Sequence, residues 1–201
     1  MSADDYLARA EVVLCAHGFR GDNSIAVTNL CRDESTGILK AKIESIFGAN
    51  FNINGLGAVI TCGVTGMGAG LSHAPIDQAT KRESYVFFSF PHVAVDDDGN
   101  VGKIHRPGRP GESAACGALI TALGAFQADG VEAHAKEAGN HDADEPEFSI
   151  LKHRLGRRIV SEGLSVDKLD IASITRVRPL LPRTRTPLAP PSRHTEIDAN
   201  A

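Results

Sequence analysis

The run Ser24-Ile-Ala-Val-Thr-Asn-Leu30, followed at once by Cys31-Arg32-Asp33, decides how the chain is read. It is short, apolar and β-branched, the character of a strand covered on both faces. Two further stretches read the same way: Leu56–Cys62 (LGAVITC) and the longer, aromatic Tyr85–Val95 (YVFFSFPHVAV), which Pro91 interrupts. Helix-like segments alternate with them. Residues 2–16 place Tyr6, Leu7, Ala10 and Val13 or Leu14 on one face. Ser35 stands where it can N-cap a helix whose stripe is Ile38, Leu39, Lys42, Ile43, Ile46 and Phe47, stopped by Gly48. A further helix is expected over Ala118–Gln127. In another, Pro146 lies in the first turn and Phe148, Leu151, Leu155 and Ile159 form the stripe. Buried strands separated by helices predict an α/β fold with a mainly parallel central sheet flanked by helices.

Composition bounds the class. The 201 residues are 42% hydrophobic and 23% charged, with net charge −4. A chain of this length buries roughly 70% of its unfolded surface and needs no disulfide framework. The figures exclude a disordered chain, a coiled coil and an overall electrostatic nucleic-acid binder. No apolar run reaches the roughly 18 residues of a membrane span. The acidic start Met-Ser-Ala-Asp-Asp lacks the features of a signal peptide. A soluble, cytoplasmic protein is therefore expected, or one of the plastid stroma if the sequence is a mature fragment.

The chain divides into a body, residues 1–178, and a tail, 179–201. The tail is rich in Pro and Arg, has no apolar period and reads as a flexible extension. Residues 127–150 carry seven acids, and residues 151–185 carry nine Lys or Arg; the two stretches are expected to pair with each other across a solvated face. The glycine-rich loop expected at Gly63–Gly70 has neither a Gly-Lys-Ser/Thr end nor the G-x-G-x-x-G spacing. It reads as backbone that turns tightly or packs closely beside the site, not as a phosphate cradle.

In open α/β sheets, ligands bind beyond the carboxyl ends of strands. Three features fall at such places: Cys31-Arg32-Asp33 after the first strand, His92 after YVFFSFP, and Cys116 at the opening of a helix. Two thiolates and an imidazole form the ligand set that zinc takes when a fourth position stays open for chemistry. A helix N-terminus also favours a thiolate at Cys116. By pattern alone Cys62 competes with these cysteines, and His17, His73 and His105 compete with His92. No C-x-x-C pair is present, which excludes a zinc ribbon.

The runs GDNSIAVTNLCRDE (21–34), NGLGAVITCGVTGMGAGLSHAP (54–75), YVFFSFPHVAVDDDG (85–99) and RPGRPGESAACGALI (106–120) resemble the limiting-CO2-inducible protein B family. The resemblance extends from about residue 5 to residue 178. It implies a β-carbonic-anhydrase-like fold, a homodimer, and a Zn2+ held by Cys31, His92 and Cys116. It also implies that Asp33 pairs with an arginine and gates the fourth metal position. In β-carbonic anhydrases that arginine follows in a C-x-D-x-R string, but here Glu34-Ser35 follows Asp33. Arg32, Arg82, Arg106 and Arg109 are the alternatives and stay open, with Arg32 named alongside Asp33 as a catalytic residue. Cys15 and Cys62 return to the class of small buried residues.

The implied reaction is reversible hydration of CO2 to bicarbonate by zinc-bound hydroxide, with Phe88, Phe90 or Val59 walling the CO2 pocket. A non-catalytic zinc-bound scaffold or bicarbonate sensor would keep the same ligands. A hydrolase with Cys31 as nucleophile and His92 as base is a third reading.

Overall fold

The computed structural model describes residues 3–48, 50–136 and 142–176. The tail at 179–201 therefore lies outside the described residues. Helix α1 spans Ala3–Ala16 and leads into strand β1, Ile25–Leu30. Helix α2 is Gly37–Phe47, strand β2 Asn50–Asn52, helix α3 Gly63–Leu71 and strand β3 Tyr85–Phe90. A small hairpin of β4 (Lys103–Ile104) and β5 (Ser113–Ala114) precedes α4, Gly117–Asp129. Helices α5 (Val131–Ala135), α6 (Pro146–Ser161) and α7 (Ile171–Arg176) complete the described chain.

The main sheet is parallel, in the order β2-β1-β3. Strand β1 is central, and Ala26 through Leu30 are all buried, the polar Thr28 and Asn29 among them. Register pairs Thr28 with Phe88, Asn29 with Ser89, and Leu30 with Phe90. One face of the sheet carries Ala26, Val86 and Phe88, which pack with Leu7 of α1 and with Ile43 and Phe47 of α2. A second cluster joins Cys31, just past the end of β1, to Val59, Cys116, Leu119, Phe126, Leu151, Leu155 and Ile159. The stripe expected on α6 is thus buried there, with Pro146 in the first turn.

The stretch Leu56–Cys62 is not a strand. Gly57 takes φ 59°, a left-handed conformation natural to glycine, and Ala58 follows at φ 60°. The chain therefore curls into a short 3-10 turn, closed by Ala58 N–H to Gly55 O and Val59 N–H to Leu56 O. The sheet position goes instead to Asn50–Asn52, an edge strand with one apolar residue, Phe51. Thr28 Oγ1 donates to Asn50 Oδ1 at 3.1 Å across that pair.

Three other expectations are corrected. The glycine-rich segment is helix α3, and its lack of side chains lets it lie close on Phe51: a Cβ at Gly70 would come within 2.6 Å of that ring. Ser35 does not cap α2. Asp33 does the capping, accepting from Ser35 N at 3.0 Å at the head of a 3-10 turn, Glu34–Thr36, that runs into α2. The third strand stops at Phe90, because Pro91 has no N–H to continue the ladder. On α2, Ile43 and Phe47 are buried while Ile38 is exposed.

Two basic residues of α6 have partners elsewhere: Arg158 pairs with Glu162, and Arg154 donates to Ile60 O. Among the described residues no helix is long and apolar enough to cross a membrane.

Candidate metal centre

Three chain segments deliver the site. Cys31 follows the last residue of β1 and bridges in parallel to Gly55. His92 comes two residues after β3 ends, past Pro91. Cys116 is the N-cap residue of α4. The Sγ atoms of Cys31 and Cys116 stand 3.5 Å apart, and one ring nitrogen of His92 lies within 4.8 Å of both. Both cysteines are buried and free; at 3.5 Å the sulfurs are far beyond the roughly 2.05 Å of a disulfide.

The donor set fits a divalent metal. A tetrahedral zinc with Zn–S of about 2.3 Å holds two sulfurs about 3.8 Å apart, close to the separation here. Both nitrogens of the His92 ring are buried without a hydrogen-bond partner, so the ring is free to ligate.

Electrostatics support the same reading. The two thiols share a proton: hydrogen bonding from Cys116, reinforced by His92, holds the Cys31 thiol well below its ordinary value, while Cys31 and burial push Cys116 up. The free N–H groups of Ala118 and Leu119 at the start of α4 do pull Cys116 down, as a helix N-terminus should, but Cys31 outweighs them. Burial works against a charged His92, yet the neighbouring Cys31 raises it overall.

Asp33 sits beside the cluster, its Oδ2 3.7 Å from His92 Nε2. Its Oδ1 accepts from the Ser35 backbone and, at 2.6 Å, from Ser35 Oγ. Its Oδ2 accepts from Arg106 Nη2 at 2.8 Å. Burial opposes its charge, but Ser35, His92 and Arg106 together hold the carboxyl below the usual range. The arginine beside Asp33 in space is therefore Arg106, not Arg32. Arg106 also pairs with Glu34 and donates to Ala114 O at 3.0 Å, which ties the loop after β4 to the loop after β1. Arg32 is corrected as the companion of Asp33: its guanidinium is turned outward, to Glu147 Oε1 at 3.4 Å and Asn54 O at 3.3 Å.

Strand parity corrects the pocket walls. Phe88 and Phe90 lie on the α1–α2 side of the sheet, Phe88 against Phe47 with centroids 5.7 Å apart and Phe90 against Tyr6 at 5.4 Å. Side chains alternate along a strand, so Asn29 and Cys31 face the other way. Val59 shares the cluster of Cys31 and Cys116. Of the competing residues, Cys62 is half-buried at the start of α3, and His17, His73 and His105 are exposed; none joins the centre. Cys15, expected to be buried, is exposed on α1. Glu34, which pairs with Arg106, carried no sequence signal of a role, since ordinary polar residues acquire one only from their neighbours in space.

A parallel α/β sheet with a Cys-His-Cys centre beyond its strand ends is the architecture of a β-carbonic-anhydrase-like protein. Comparison with known proteins agrees. Residues 1–180 match the family described as limiting CO2-inducible proteins B/C, β-carbonic anhydrases. The crystal structure of limiting CO2-inducible protein LCIB is 51% identical, with a TM-score of 0.74 over 88% of this chain and 68% of that one. PtLCIB4, a homolog of LCIB, shares the fold at 23% identity and a TM-score of 0.67, over 87% of this chain and 67% of its own. No curated protein sequence matches. The chain belongs to the limiting CO2-inducible protein B/C family.

Proposed function

We propose that the protein is a zinc-dependent carbonic anhydrase, catalysing the reversible hydration of CO2 to bicarbonate, and that it works as a homodimer. The observation that carries this reading is the convergence of Cys31, His92 and Cys116 with the Arg106–Asp33 pair alongside. Zinc held there by the two sulfurs and the imidazole would supply Lewis acidity, lowering the pKa of a ligated water to about 7.

The chain's own residues do the rest. Arg106 holds the Asp33 carboxylate at 2.8 Å, and with a metal bound this contact would compete with ligation by Asp33. It also leaves Asp33 as a hydrogen-bond acceptor at the mouth of the centre. Val59 and Leu119, buried in the cluster of the two thiols, pack the donor side with apolar groups. Cys31 and Cys116, buried as they are, exclude bulk water from the donor side.

Metal analysis and a stopped-flow assay with a pH indicator test the reading together. About one zinc per chain is expected, abolished in Cys31→Ser and Cys116→Ser, with CO2 hydration by the loaded protein. Zinc without turnover would support the scaffold or bicarbonate sensor instead. Thiol-sensitive hydrolysis without stoichiometric metal would support the hydrolase.

A further inference from the structure

Arg106 has a separate acceptor on each nitrogen of its guanidinium. Nη2 donates to Asp33 Oδ2 at 2.8 Å, Nη1 to Ala114 O at 3.0 Å, and Nε to Glu34 Oε1. The group is planar with its N–H bonds in fixed directions, so three acceptors fix its plane. Ala114 stands two residues before Cys116, and Asp33 two residues after Cys31. One cation thus ties together the segments that carry both thiols.

Nε and Nη2 lie on one edge of the guanidinium, the edge that ordinarily takes both oxygens of a single carboxylate. Here that edge is divided between two carboxylates adjacent in the chain. Asp33 receives one bond from it, its other oxygen being held by Ser35 N at 3.0 Å and Ser35 Oγ at 2.6 Å. Glu34 takes the second bond from a fixed base. It opens the 3-10 turn that Asp33 caps, and Thr36 Oγ1 closes that turn on Cys31 O at 2.8 Å and Asp33 O at 2.9 Å. Hydrogen bonding from Arg106 holds the Glu34 carboxyl below its ordinary range. Glu34 is itself exposed and lies outside both core clusters.

We propose that Glu34 is a positioning residue for Arg106: by fixing Nε it keeps Nη2 on Asp33, and so keeps the Asp33 carboxylate from ligating the metal. Without Glu34 the guanidinium retains two anchors and can turn about the line between them. Asp33 then loses its fixed donor on Oδ2 and gains freedom to move toward the thiols and His92. The inference rests on the metal reading of Cys31, His92 and Cys116, and adds to it a residue that acts through Arg106.

The test is azide titration of cobalt(II)-loaded protein followed by visible absorption, which reads whether an anion can reach the metal. Glu34→Ala and Glu34→Gln lose the same charge, but Gln keeps an acceptor for Nε. Glu34→Ala should therefore bind azide about 2- to 5-fold more weakly than Glu34→Gln, the scale of an exposed pair. In an Arg106→Ala background the two substitutions should give the same azide Kd, because the residue they act through is gone. Equal affinities in the Arg106 background of the wild type would overturn the assignment, as would a difference that persists in Arg106→Ala. Cobalt-loaded wild type that binds no azide would overturn it as well, since Asp33 would then hold the position with Glu34 in place. Protein that takes up no stoichiometric cobalt would overturn the metal reading and this one with it. Cobalt-loaded variants that bind azide alike would overturn this one alone.

Discussion

Arg106 Nη2 and Asp33 Oδ2 meet at 2.8 Å although 73 positions separate them in the chain. The contact closes the loop after β4 onto the loop after β1. It places a fixed cation beside the carboxylate that stands 3.7 Å from His92 Nε2.

Arg106→Ala should therefore lower kcat/KM for CO2 hydration by about 10- to 100-fold, the range for a residue that orients a group next to a metal. Bound zinc should remain. Arg32→Ala should stay close to wild type, since Arg32 is engaged by Glu147 and Asn54. Stopped-flow assays of the two variants decide between the arginines, and a larger loss in Arg32→Ala would reverse the assignment.

Asp33→Ala should keep zinc and lose nearly all hydration activity. Because Asp33 also caps the turn leading into α2, the variant should lose about 1 kcal/mol of stability as well. Metal content, activity and a denaturant midpoint measured on one preparation separate the two roles. Full hydration activity in the variant would remove Asp33 from the mechanism.

Phe88→Ala tests the position of the pocket. Phe88 is buried against Phe47 on the α1–α2 face, so its truncation should cost about 3–5 kcal/mol of folding stability. KM for CO2, corrected for folded and zinc-loaded protein, should not move. A changed KM at wild-type stability would return Phe88 to the substrate pocket.

Asp96 offers a pH test away from the centre. The Asn100 side chain, with backbone N–H groups of Asn100 and Asp98, holds its carboxyl below the ordinary range. A depressed folded pKa contributes stability above the unfolded value of about 4 and loses it as pH falls through the folded value. The Tm gap between wild type and Asp96→Asn should thus be widest near neutrality and close below pH ~4. A gap constant from neutral to acid pH would count against the contact.

Local pattern was enough for elements whose residues declare their own environment. The β-branched, mainly apolar run of Ile25–Leu30 marks a strand covered on both sides, and the stripe Leu151, Leu155, Ile159 marks a helix with one buried face. Pattern failed where backbone geometry overrode side-chain character. Leu56–Cys62 is apolar enough for a strand, yet the positive φ at Gly57 and Ala58 turns it away from the sheet. The polar segment Asn50–Asn52 pairs with β1 with little apolar signal of its own.

The candidate cluster of Cys31, His92 and Cys116 was legible because cysteine and histidine at strand and helix ends carry distinctive chemistry, and the family motifs then selected among several such triples. The partners of those ligands were not. Arginine is the same residue at 32 and at 106, and only the approach of two distant loops makes Arg106 the neighbour of Asp33. Phe87, Phe88 and Phe90 look alike in sequence, and only register and strand parity send Phe88 and Phe90 to the face opposite Cys31. Sequence by itself determined which residue types could bind a metal and which segments would be buried, because those are properties of single side chains and short periods. The tertiary structure alone decided which charge faces which carboxylate and which face each aromatic covers, because these depend on distances between residues remote in the chain.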